Sequence, residues 1–121
     1  MSNSICRCQG PNLDKFVHCS VLTALAEGPQ HGYLLMERLG RLPTFDGCPP
    51  DPTGVYRVLH EMERLGLVLG TWEHPSSGPA KRQYEITEDG LGCLAHWATA
   101  LDRHQRAVAK LATLARKASK S

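Results

Sequence analysis

The sequence predicts a mainly α-helical protein with a small β-hairpin, a winged helix-turn-helix with a long C-terminal dimerisation helix. Three short helical stretches come before a turn-linked pair of strands, the third stretch has both ends marked, and about 30 residues of helical periodicity follow the hairpin. At 121 residues and 41% hydrophobic content there is material for one domain with a modest core and one projecting element.

Residues 1–11, with Cys6, Cys8, Gly10 and Pro11, show no periodicity and read as a cysteine-containing arm. Residues 12–87 form the winged-helix unit and 88–121 a C-terminal helix with a basic tail. Asn12 is the expected cap of a first helix that runs to about Glu27, where Gly28-Pro29 stops it. Leu13, Phe16, Val17, Ser20, Val21, Ala24 and Leu25 share one side of it. A second helix follows from Gly32 to about Leu39, bearing Tyr33, Leu34, Leu35 and Met36. The link at residues 28–31 is short enough to make a compact corner. Three prolines and a glycine between Arg41 and Pro50 then read as a loop.

The third helix is the best-marked element. Asp51 can cap its free amides, Pro52 suits the first helical position, and Gly66 offers the left-handed residue that ends it. Val55, Val58, Leu59, Met62 and Leu65 recur at helical spacing and form its buried stripe. Its other face carries Thr53, Gly54, Tyr56, Arg57 and His60 toward the N-terminal end, a set rich in hydrogen-bond donors. Leu67 to Glu73 reads as a strand, residues 74–80 as a turn, and Lys81 to Thr87 as the returning strand, with Arg82, Tyr84 and Ile86 on one face. Lys81 and Arg82 place two cations beside the turn.

Thr87 caps the last helix, which runs to about Lys117, a length of roughly 45 Å at 1.5 Å per residue. Leu94, Trp97, Leu101, His104, Val108, Leu111 and Ala115 alternate at spacings of three and four. That is the seam of a coiled coil, and homodimerisation answers it most simply. The alternative is a helix folded back across its own domain.

In a fold of this order the third helix enters the DNA major groove and the hairpin tip reaches the neighbouring backbone. Double-stranded operator DNA is therefore the expected partner. The net charge of +2 conceals an asymmetry: residues 101–121 carry six cations against Asp102, a net +5, which leaves −3 for residues 1–100. DNA contact must then come from a few placed cations such as Arg57, Lys81 and Arg82, not from bulk attraction. No apolar run approaches the roughly 20 residues that span a bilayer, and the N-terminus lacks a charged-then-apolar signal, so a cytoplasmic protein without membrane contact is expected. No nucleophile, base and orienting acid fall at a recognisable spacing, which argues against an enzyme.

Residues 22–33 (LTALAEGPQHGY), 54–68 (GVYRVLHEMERLGLV) and 81–87 (KRQYEIT), with Gly90 opening the final helix, resemble the PadR family of bacterial transcriptional regulators. The likeness covers about residues 13–101, and a single dimerisation helix resembles the shorter subgroup of that family. It implies a homodimeric winged-helix repressor that leaves its operator when a small effector binds near the dimer interface. By position, Tyr56 and Arg57 resemble the DNA-facing residues of the recognition helix, Thr53 and Gly54 its N-terminal approach, and Lys81 and Arg82 the wing contacts. Trp97 is a candidate wall for an aromatic or apolar effector, because planar rings stack on indole.

Five cysteines, Cys6, Cys8, Cys19, Cys48 and Cys93, suggest a second class of function. A structural disulfide is not expected in the cytoplasm. Cys6 and Cys8, joined by Cys19 and Cys93 with His18 and His96 beside them, are candidate ligands for zinc or an iron-sulfur cluster, or thiols that sense oxidation. Against this, C-x-C is not a familiar finger spacing, and without such a site no cofactor is expected. A protein-interaction module that has lost DNA binding, consistent with the negative charge of residues 1–100, is the third class.

Overall fold

The computed structural model describes residues 11–43, 45, 47, 50–74 and 78–120, and of residues 11–15 the backbone alone. In chain order the elements are α1 (Pro11–Leu25), β1 (Gln30–His31), α2 (Gly32–Arg41), α3 (Pro52–Arg64), β2 (Val68–Glu73), β3 (Lys81–Ile86) and α4 (Glu88–Ser119). The first helix starts at Pro11, one residue before the expected Asn12 cap, and ends at Leu25 rather than Glu27. Gly28, at φ 144°, turns the chain after it.

The expected two-stranded hairpin is a three-stranded antiparallel sheet in the order β1-β3-β2. Gln30 and His31 pair with Tyr84 and Gln83, so the link between the first two helices also closes the sheet edge. Gln30 is held there by its side-chain amide, which donates to the Ala24 carbonyl at 2.8 Å. Two residues are too few to show an alternating pattern, and only the pairing with β3 makes them a strand.

The core lies where α1, α2 and α3 meet the sheet. Val21, Leu22 and Leu25 of α1, Leu35 and Leu39 of α2, and Val55, Leu59 and Met62 of α3 are almost wholly buried, with Val68 and Tyr84 closing the sheet side. Burial of such side chains contributes about 1.5–3 kcal/mol each. Phe45, in the loop between α2 and α3, is drawn into the same core at 3% exposure.

Both ends of α3 follow from its residues. Asp51 accepts from the Gly54 amide at 3.3 Å, and Pro52 occupies the first helical position. At the other end Gly66 takes φ 81°, its amide donates to the Glu63 carbonyl at 3.1 Å, and the Leu67 amide donates to that of Met62 at 2.8 Å. This left-handed ending satisfies carbonyls that the helix leaves free. Leu65 is a correction to the expected stripe: it sits in the cap itself and is 54% exposed. The reversal at Gly66 hands the core positions to Leu67 and Val68. Tyr33 and Leu34 of α2 are likewise exposed, while Leu35 and Leu39 carry its buried face.

Thr87 joins the sheet to α4. Its hydroxyl accepts from the Gly90 amide at 3.0 Å and faces the Gly66 and Leu67 carbonyls at 2.7 and 3.0 Å. Gly90 is required at this junction, since a Cβ would strike the Leu67 carbonyl and the Ile86 side chain. Over its first turns α4 lies on the domain, with Cys93, Leu94 and Trp97 packed against the core. Beyond them it extends as a helix of 32 residues in all.

Candidate nucleic-acid interface

The exposed face of α3 begins at its capped end. Thr53, Arg57 and His60 follow one another at spacings of four and three and are all exposed, so they form one stripe. Gly54, half-buried, leaves open space around its Cα where a side chain would stand. Arg57 makes no ion pair among the described residues. Arg64, at the far end, is taken up by Glu61 at 2.5 Å. The free guanidinium therefore lies in the half of α3 nearer its capped N-terminus, the end at which the peptide dipoles favour an anion.

Tyr56 turns out of this stripe toward the sheet. Its phenol lies over Gly32, the first residue of α2, and a Cβ at Gly32 would collide with the hydroxyl. A cleft of about 570 Å³ opens here, lined by His31 and Tyr33 beside Gly32, by Tyr56, and by Lys81, Arg82 and Tyr84 of the wing. Burial pushes the Tyr84 phenol above its ordinary pKa, with Arg82 opposing the shift and Glu63 adding to it.

The two wing cations have different surroundings. Lys81 is exposed, stands opposite Glu73 in the register and makes no ion pair among the described residues. Arg82 instead donates to Glu63 of α3. His31 pairs with Glu73 across β3, which ties the two outer strands together beside the turn of the wing. Residues 75–77 of the tip lie outside the described residues.

The long seam divides between two environments. Leu94 and Trp97 rest on the core of their own domain. Leu101, His104 and Val108 line a groove of about 660 Å³ whose opposite wall is Phe16, Cys19 and Thr23 of α1, with Leu42 and Pro43 at its end. Further out, Leu111 and Leu114 are 65% and 62% exposed. Burial raises the Cys19 thiol above its ordinary pKa, Cys93 adds to the shift, and a hydrogen bond with Thr23 opposes it. Cys6, Cys8 and Cys48 lie outside the described residues, and among the described ones no three His, Cys, Asp or Glu groups are placed to hold a metal ion.

Glu63, Gly32 and Trp72 belong to this surface, and the sequence pattern did not single them out for it. Gly32 stands within the family-like stretch, and its position as the first residue of a helix was the available signal. Glu63 and Trp72 carried none, because their partners are distant in the chain.

A three-helix unit with a wing, an exposed donor-rich stripe on its third helix and free cations on helix and wing defines a winged helix-turn-helix of the transcription-regulator type. The family model described as the transcriptional regulator PadR-like family matches residues 21–96, and the chain belongs to that family. Among solved structures it is similar to a transcriptional regulator from Clostridium thermocellum, at 17% identity and a TM-score of 0.74, over 84% of this chain and 94% of that one. It is also similar to a PadR family transcriptional regulator from Eggerthella lenta, at 25% identity and a TM-score of 0.72, over 83% and 84%. Bacillus subtilis PadR in complex with operator DNA matches at 17% identity and a TM-score of 0.59, over 67% of this chain and 45% of that one. No curated protein matches the chain.

Proposed function

We propose that this chain is a homodimeric DNA-binding repressor, cytoplasmic and without catalytic activity, that a small apolar effector releases from a palindromic operator. The observation that carries the reading is Arg57 on the exposed stripe of α3 and Lys81 on the adjoining wing, both without an ion pair among the described residues. α3 enters the major groove with Thr53, Arg57 and His60 toward base edges and phosphates, and Lys81 holds the flanking backbone. The solved complex of the B. subtilis neighbour with operator DNA supports the same use of the fold.

Dimerisation rests on α4. Val108, Leu111 and Leu114 present apolar surface along a helix that has outrun its own domain, and the groove beside α1 offers a partner helix an apolar bed. The effector binds in the same groove or against the nearby Trp97, where it changes the separation of the two recognition helices. The raised pKa of Cys19 keeps that thiol protonated, as a wall of the groove and not a reactive centre.

Fluorescence anisotropy on DNA from the protein's own upstream region, with scrambled DNA as control and a salt series, tests the reading. Specific binding whose affinity falls steeply as salt rises supports it. Equal and feeble binding to both DNAs overturns it.

A further inference from the structure

Arg82 turns away from the wing surface. Its guanidinium donates to Oε2 of Glu63 near the C-terminal end of α3, and the two side chains are only 29% and 24% exposed. The same group lies 5.3 Å from the ring centroid of Trp72, its cross-strand neighbour, and 5.8 Å from that of Tyr84. Gly70 makes room for the pair. A Cβ there would stand 2.7 Å from Nε and Nη2 of Arg82 and 2.8 Å from Oε2 of Glu63. The ion pair thus crosses β2 at the one position of that strand that has no side chain.

We propose that Arg82 is a positioning residue that fixes the wing against α3 through Glu63, so that wing and recognition helix meet DNA as one rigid unit, and that it does not itself hold a phosphate. The proposal rests on the DNA-binding reading above. Past Tyr84 the hairpin leaves the core, and Trp72, Glu73 and Lys81 are exposed. Beyond Gln83, the last partner of β1, the ribbon is two-stranded; besides Arg82 it is tied by the exposed His31–Glu73 pair, and a two-stranded ribbon by itself is only marginally ordered. Arginine suits the tie because its planar fork can pair with a carboxylate while its face stacks on a ring, which a lysine cannot do. Lys81, one residue earlier on the strand, is exposed and makes no ion pair among the described residues, so it remains available to a phosphate.

The test compares E63Q, G70A, R82K and R82A with the parent protein by anisotropy on operator DNA across a salt series. Trp72 emission is followed in parallel, with every protein carrying W97F. E63Q leaves Arg82 charged and frees it, and G70A displaces the pair while keeping both charges. The positioning role requires all four variants to lose about tenfold in operator affinity at an unchanged salt slope. It also requires Trp72 emission to shift in the free protein as the cation leaves the ring. A phosphate contact gives a different pattern: E63Q binds at least as tightly as the parent, R82K keeps most of the affinity, and R82A lowers the slope by about one. That pattern overturns the proposal, as does an E63Q or G70A protein that matches the parent in both readouts. A parent that binds no DNA overturns the underlying reading, and the Trp72 shifts, still present in its free variants, tell that failure apart.

Discussion

The hydroxyl of Tyr56 lies over Gly32, in the space that a side chain on residue 32 would claim. The contact joins the start of α2 to the face of α3 that looks toward the wing. The colliding atom is the free end of a side chain, so G32A is expected to swing Tyr56 aside without unfolding the domain. Operator affinity should fall severalfold while the thermal midpoint changes little. A large drop in the midpoint would mean that the contact supports the core instead.

Arg57 is the free cation of the exposed stripe. R57A is expected to weaken operator binding by about 1–3 kcal/mol and to leave the dimer intact. Anisotropy on operators with single base changes shows how the group is used. A loss of discrimination at one position marks a base contact, and a uniform loss with a salt slope lower by about one marks a phosphate contact. Unchanged affinity would remove Arg57 from the interface.

Leu111 stands 65% exposed on the outer half of α4, while Leu101 faces the groove beside α1. A carboxylate at position 111 should not disturb the folded monomer. It should disfavour an apolar dimer seam by about a hundredfold or more in dissociation constant, since an unpaired charge would be buried there. Sedimentation of L111E, alone and combined with L101E, checks this. A dimer that persists at micromolar concentration in both variants would place the interface elsewhere.

The junction at the start of α4 is tight. In G90A a methyl group would meet the Leu67 carbonyl and the Ile86 side chain, neither of which is a free side-chain end. Overpacking of this kind costs about 1–3 kcal/mol. T87A removes the hydroxyl that receives the Gly90 amide, a loss of about 1 kcal/mol. Urea unfolding followed by circular dichroism measures both, and G90A should be at least as damaging as T87A.

Folding raises the pKa values of Cys19 and Tyr84 above their ordinary 9.0 and 10.0. The native state therefore holds these protons more tightly than the unfolded chain. Their contribution is fully present below pH 9 and is lost as pH rises past the unfolded values and through the folded ones, because the unfolded chain releases protons first. Unfolding free energy should fall between pH 9 and 11, and C19S and Y84F should each flatten that fall. A stability that rises over the same range would contradict the burial of these groups.

Many of the elements could be read from neighbouring residues. Asp51-Pro52 and Gly66 bound α3, Thr87 caps α4, and Val55, Leu59 and Met62 recur along one helical face. Each of these signals acts over no more than about four residues, the reach of a helical hydrogen bond or cap. The family resemblance at residues 22–33, 54–68 and 81–87 was legible for the same reason, as contiguous runs.

The relationships that build the candidate site were not legible in this way. β1 is a strand only because β3 lies beside it, and Leu65 is exposed because the chain reverses at Gly66. Arg82 finds Glu63 across 19 positions, and Tyr56 settles on Gly32 across 24. Leu94 and Trp97 continue the same seam as Leu111, yet they rest on their own core while Leu111 remains in solvent. Periodicity names the face of a helix that is apolar. Which distant segment covers that face, and which cation is left free for a ligand, depends on contacts that form only once the chain has closed on itself.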